Sequence, residues 1–214
     1  MRTKALLLTG LLTLAGMVAS FAQSNVYSIN VVGYVTLTIT NDSVYRIISN
    51  PLITTNNNLS ALIPTALPGA QVYKLLPGGA YSIATFDPDL GGWDPDFAVA
   101  TGEGVFIKLS TPGSFPITFV GEVAQNAASN KQLPAGLSLQ GSLVPQEGSV
   151  ISVLQVPGNP GDQLYKLNLD GVYTIATYDP DLGGWDPEVS IGVAEGFFFS
   201  AGSVLDWNRN FVVP

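Results

Sequence analysis

Asp87-Pro-Asp-Leu-Gly-Gly-Trp-Asp-Pro95 is spelled a second time, letter for letter, as Asp179 to Pro187. Around it, Tyr73 to Leu109 aligns without a gap on Tyr165 to Ala201, at a constant offset of 92 residues. Duplication on this scale means two copies of one supersecondary block, so a site argued in one copy must have a counterpart in the other. The flanking residues set the kind of block. Gln71 to Leu76 alternates, Pro77-Gly-Gly79 turns, and Ala80 to Phe86 returns, which is a hairpin pattern. Its duplicate runs Leu164 to Leu167, Asn168-Leu-Asp-Gly171, Val172 to Tyr178. Asp170-Gly171 favours the positive φ of a tight turn, and Gly78-Gly79 holds the same place in the first copy. Helical periodicity is almost absent. The expected fold is all-β: two tandem homologous β-sandwich or open-barrel-like units packed together, with at most one short helical turn per unit.

Working outward, Tyr27 to Thr40 is rich in Val, Ile, Tyr and Thr and reads as a long strand with a bulge or bend at Gly33. Val44 to Ser49 is a second strand, ended by Asn50-Pro51. Leu59 to Pro64 is the one helical turn, with Asn58 as its cap and Pro64 stopping it. Glu103-Gly104 and Glu195-Gly196 each lead into an apolar strand, Val105 to Leu109 and Phe197 to Ser200. Three consecutive Phe place at least one on the opposite face from the others. The outward one needs cover from the other repeat or from a partner. Asn30 to Val35, Thr118 to Val123 and Asn210 to Val213 are three versions of one strand, bracketing the two units. The expected boundaries are a signal peptide at 1–22, unit one at 23–123, a small polar connector at 124–131 and unit two at 132–214.

Arg2 and Lys4, the apolar run Ala5 to Ala19 and the small residues around Ala22 form a secretory signal pattern. The run is short for a membrane span, so the mature chain is expected to carry no transmembrane segment and to be secreted: periplasmic, surface-bound or extracellular. Cleavage after Ala22 removes two of eight basic residues and none of sixteen acidic ones, leaving a net charge of −10. Nucleic acid is excluded as a partner, because phosphates demand clustered Lys and Arg. There is no cysteine, so no disulfide supports the fold.

Val32-Gly-Tyr-Val35, Ser49-Asn-Pro-Leu52, Val72-Tyr-Lys74, Trp93-Asp-Pro95 and Gly102-Glu-Gly-Val-Phe106 occur in an order that resembles a family of secreted bacterial β-rich repeat proteins of unknown function. The second copy carries Leu164-Tyr-Lys166, Trp185-Asp-Pro187 and Ala194-Glu-Gly-Phe-Phe198, while Gly141-Ser-Leu-Val144 replaces the Ser-Asn-Pro-Leu element. The resemblance implies location and fold type, and no activity.

With neither histidine nor cysteine, Ser-His-Asp and Cys-His catalysis and imidazole or thiolate metal sites are eliminated. Carboxylate chemistry remains, with Asp87, Asp89, Asp94, Asp96 and Glu103 available, but two copies of a small β unit do not suggest one deep hydrolase cleft. No catalytic residue is assigned. The Asp loop has three readings. As a turn, its Asp side chains accept backbone N–H bonds while Leu90 and Trp93 fold back onto the core. As a calcium site, Asp87, Asp89 and Asp94, with Asp179, Asp181 and Asp186, supply hard oxygen ligands; no cofactor is required, and Ca2+ is the one candidate. As a sugar site, exposed Trp93 and Trp185, with Tyr81 and Tyr173, form stacking platforms. Glu103 and Glu195 are expected to bond turn amides, and Lys74 and Lys166 to face solvent. The expected function is non-catalytic, an exported interaction or structural protein. The alternatives are a carbohydrate-binding module and a small carboxylate-based hydrolase, with extracellular polysaccharide or a surface protein as partner.

Overall fold

The computed structural model describes residues 31–40 and 45–213. The expected signal peptide lies outside the described residues, as do residues 27–30 and 44 of the expected strands. The first copy contributes β1 (Val32–Thr40), β2 (Arg46–Ser49), the helical turn α1 (Leu59–Leu62), β3 (Gln71–Leu75), β4 (Tyr81–Asp87), β5 (Gly92–Asp94), β6 (Gly104–Lys108) and β7 (Ser114–Glu122). The second contributes β8 (Lys131–Leu133), β9 (Gly136–Gly141), β10 (Gly148–Ser149), β11 (Gln163–Leu167), β12 (Tyr173–Asp179), β13 (Gly184–Asp186), β14 (Ser190–Ile191), β15 (Gly196–Ala201) and β16 (Leu205–Trp207).

In the first unit a five-stranded antiparallel sheet has the order β2-β6-β3-β4-β5; the second unit repeats it as β9-β15-β11-β12-β13. Neither closes into a barrel. Each is covered on one face by a two-stranded ribbon. β1 and β7 pair over nine residues, from Val32↔Glu122 to Thr40↔Ser114. Strict alternation along β7 buries Phe115, Ile117 and Phe119 beside Val35 and Ile39, and these pack on Leu52, Leu59, Leu62, Val72, Val105, Ile107 and Trp93. This is a small sandwich built on the two-residue period of extended chain. Gly33 makes no bulge: it pairs with Gly121 in unbroken register. A Cβ at Gly121 would lie 2.4 Å from the Ile53 carbonyl oxygen, and one at Gly33 would lie 2.9 Å from Leu52 and Val123. Both glycines allow Leu52-Ile53 to cross the ribbon.

The second ribbon is shorter. Lys131↔Trp207 stands where the first copy has Ile39↔Phe115, so register is kept. Residues 124–131, the expected connector, run directly into the second ribbon. They form a 310 turn at Ala127–Ser129 and open β8, and Ser129 bonds both the Asn126 carbonyl (2.6 Å) and the Phe211 amide (2.8 Å). Their small polar side chains satisfy backbone groups within the second ribbon. A further 310 turn spans Pro180–Leu182, the one helical turn among the described residues of 132–214. Asn58 does precede α1, but its side chain makes no cap bond; Asp96 caps instead, accepting the Ser60 amide at 2.9 Å. Burial opposes ionisation of Asp96, yet the bonds from Ser60 and Asn58 outweigh it and hold its carboxyl below the usual range.

From Val31 onward the chain is one compact unit. The two copies meet about a local two-fold axis. Ile48 bridges Glu195 and, by the same rotation, Gln140 bridges Glu103. The Ser49 amide donates to the Ala194 carbonyl at 2.9 Å, and the Gly141 amide to the Gly102 carbonyl at 2.9 Å. Such reciprocity is the signature of an isologous contact, here within one chain. Gly104 and Gly196 sit at this crossing. A Cβ on Gly104 would be 3.0–3.1 Å from backbone atoms of Leu139 and Gln140. The Gly of each Glu-Gly pair is therefore a close-approach residue. Phe197 and Phe199 enter the second core, whereas Phe198 lies against Phe106 of the first unit with centroids 5.4 Å apart.

Candidate functional site

The duplicated Asp loop is held by its own backbone. The Asp87 carboxylate accepts the Asp89 amide at 2.9 Å, and Asp179 accepts the Asp181 amide at 2.9 Å. Gly91 and Gly183 take φ of +88° and +90°, which explains the invariant glycines. Asp89, Asp94, Asp181 and Asp186 are exposed. Among the described residues, no three carboxylates gather where they could hold a metal ion. The loop geometry thus accounts for Asp87, Asp179 and the glycines as turn formers. Leu90 and Leu182 do not fold back; they are 71% and 67% exposed.

Trp93 and Trp185 do not offer stacking platforms. They are only 6% and 2% exposed, and each indole N–H donates into the interior, to the Ile63 carbonyl at 2.7 Å and the Val156 carbonyl at 2.9 Å. A large ring with one satisfied polar handle is best placed in a core. Lys74 and Lys166 are half-buried rather than solvent-facing. Lys74 reaches Glu103 at 3.0 Å and Lys166 reaches Glu195 at 3.4 Å. Each glutamate also accepts a turn amide, from Ala100 at 2.8 Å and Gly192 at 2.6 Å. These two networks are copies of one another, and they brace the strands that meet at the two-fold axis.

The expected tyrosines are in a different position. Period-two alternation turns Ala84 and Ala176 to the two cores and Tyr81 and Tyr173 to the opposite face of their sheets. On that face the copies converge. Phe106, Leu139, Ile47 and Leu167 are buried together, with Tyr73, Leu75 and Phe198 around them. Above this floor lies a groove of about 460 Å3 lined by Tyr45, Tyr73, Tyr81, Phe106, Leu167, Gly171 and Tyr173. Tyr45, Tyr81 and Tyr173 remain 37%, 41% and 38% exposed. The rings stand across one another: Tyr45–Tyr73 at 72°, Tyr73–Tyr81 at 81°, Tyr45–Phe106 at 74°. Burial and the neighbouring Tyr45 push the Tyr73 hydroxyl up to about 12; burial also raises Tyr81, and burial with Tyr81 nearby raises Tyr173. The hydroxyls of Tyr73, Tyr81 and Tyr173 therefore stay neutral across the physiological range. The two-fold symmetry is broken here, because Leu137 stands where the first copy has Tyr45.

A second departure from symmetry lies in a cleft of about 730 Å3 lined by Lys131, Glu103 and Gln140 among others. Lys131 replaces Ile39 of the first copy, donates to the Gly102 carbonyl at 2.7 Å and the Gly141 carbonyl at 3.2 Å, and stands over the Trp207 ring. Burial lowers its amine from 10.5 to about 7 against the opposing pull of Glu103.

Tyr81 and Tyr173 were visible in the sequence, whereas Tyr45 and Tyr73 were not. The available signal was that β3, β4, β11 and β12 carry large side chains at both parities, Val72 and Tyr73 or Leu164 and Tyr165. That pattern belongs to strands covered on both faces. Among the described residues no helix is long and apolar enough to cross a membrane. No protein-family model, no curated protein and no solved structure matches this chain.

Proposed function

We propose that this chain is an exported, non-catalytic binding protein whose ligand site is the tyrosine-lined groove where its two repeats meet. The observation that carries this is the placement of Tyr45, Tyr81 and Tyr173, large rings left partly open over an aromatic floor at the meeting of the two copies. Concave, mostly apolar sites of a few hundred Å3 are the usual form of a ligand pocket. Export rests on the apolar run Ala5 to Ala19 behind Arg2 and Lys4. A non-catalytic role is supported by the lining, which holds no carboxylate, amine or amide side chain able to move a proton near neutral pH. Polysaccharide recognition keeps only the tyrosines, since both indoles are core residues.

The test is fluorescence titration of the full mature chain with a neutral solvatochromic dye. Saturable binding is expected, abolished by Tyr81→Ala with Tyr173→Ala while the melting temperature is kept. Binding that ignores both substitutions refutes the assignment.

A further inference from the structure

We infer that the groove takes a quaternary ammonium cation, a trimethylammonium head carried by a free choline-like compound or by a lipid. This rests on the binding reading above and names its ligand class. Four observations favour it. The rings cross at 54° to 81° between Tyr73, Tyr81, Tyr45 and Phe106, so they build the walls of a box and not a flat platform for a sugar or a planar ring. A compact, weakly hydrated cation is the guest that several aromatic walls attract at once, through the negative faces of their rings. Among its side chains the lining supplies only phenols for hydrogen bonding, and two of these are engaged: Tyr45 with Tyr73 at 3.5 Å, and Tyr73 with Gln71 at 2.7 Å. A polyol would leave hydroxyls unmatched, while a trimethylammonium group needs no donor or acceptor. The chain is acidic, with a net charge of −8, so its long-range field draws cations. Finally, an ammonium already rests on this cluster, for Lys108 Nζ lies 5.0 Å from the Tyr45 centroid.

The same contact sets a limit and a handle. Lys108 covers one face of Tyr45 and repels a second cation, so its removal should tighten binding. Ser200 stands at the equivalent position of the second copy, where no such cation is present.

The experiment is calorimetric titration of the full mature chain with choline and with its neutral carbon isostere, in which a tert-butyl group replaces the trimethylammonium. Choline is expected to bind at least tenfold more tightly. Its binding should disappear in Tyr81→Ala with Tyr173→Ala, persist in Tyr81→Phe with Tyr173→Phe, and strengthen in Lys108→Met. Phosphatidylcholine vesicles, with phosphatidylglycerol vesicles as control, separate the sources. Tyrosine-dependent retention on phosphatidylcholine alone, with free choline silent, upholds the inference and assigns the cation to a lipid. Equal affinity for choline and its isostere overturns the cation and leaves the binding reading standing. No binding of choline or of phosphatidylcholine also overturns it, and the dye titration then decides whether the groove binds anything.

Discussion

Lys131 makes the stability of this protein depend on pH in a window where little else in the chain titrates. Its amine is lowered to about 7 in the folded state, and an unfolded lysine titrates near 10.5. Between those values the unfolded chain holds a proton that the folded chain has lost. The slope of unfolding free energy against pH is then positive: stability rises from pH 7 toward pH 10. Because the folded amine is still half protonated at pH 7, the step from pH 7 to pH 9 is worth about 2.3 kcal/mol at full effect, and the partial exposure of the side chain reduces it to about 1–2 kcal/mol. With no histidine and no cysteine, no other side chain of ordinary pKa has its midpoint between pH 7 and pH 9. Above pH 10 the sign reverses, because Tyr73 ionises near 12 when folded and near 10 when unfolded, so its contribution is lost as pH rises. Urea unfolding at half-unit steps from pH 6 to pH 9.5 reads the effect. Lys131→Met should flatten the curve and stabilise the protein most at pH 6, since Ile39 shows that the ribbon accepts a hydrocarbon at this position. Parallel curves for wild type and variant would refute the reasoning.

Three further outcomes follow from the packing. Trp93→Ala and Trp185→Ala should each cost about 3–5 kcal/mol, read by thermal or urea unfolding, because each removes a buried ring and leaves an interior carbonyl without its donor. Gly104→Ala should cost about 1–3 kcal/mol, since its Cβ meets backbone of the other repeat, whereas Gly202→Ala, with nothing within 4 Å, should be near neutral in the same assay. Melting in calcium against chelator at matched ionic strength should leave the midpoint unchanged, because Asp87 and Asp179 already hold turn amides. A calcium-specific rise that grows with concentration, lost in Asp87→Asn with Asp179→Asn, would make the loops metal sites.

The units, their hairpins and the turn role of Asp87 and Asp179 were legible because each depends on local chemistry: alternation, Gly at positive φ, Asp bonding two residues ahead. The site was not, because it belongs to the relation between the copies. A repeat in sequence states that two blocks are alike; it does not state which faces they turn toward each other. The same duplication gives beads on a string, a head-to-tail stack or a two-fold pair. What selects the pair is the Gly at 104 and 196, which lets backbone approach backbone, and the Phe at 106 and 198, which fills the space beside it. The glycines read as strand openers, and of these residues only the Phe triplet at 197–199 called for cover from the other repeat or a partner. Once the pairing is known, the places where the copies differ gain meaning. Tyr45 against Leu137, Lys108 against Ser200 and Lys131 against Ile39 lie on surfaces that the two-fold axis would otherwise make equivalent. A symmetric scaffold offers two half-sites. The differences at 45 and 108 border the tyrosine groove and make its two halves unequal, and an asymmetric pocket for a single ligand is what that inequality can build.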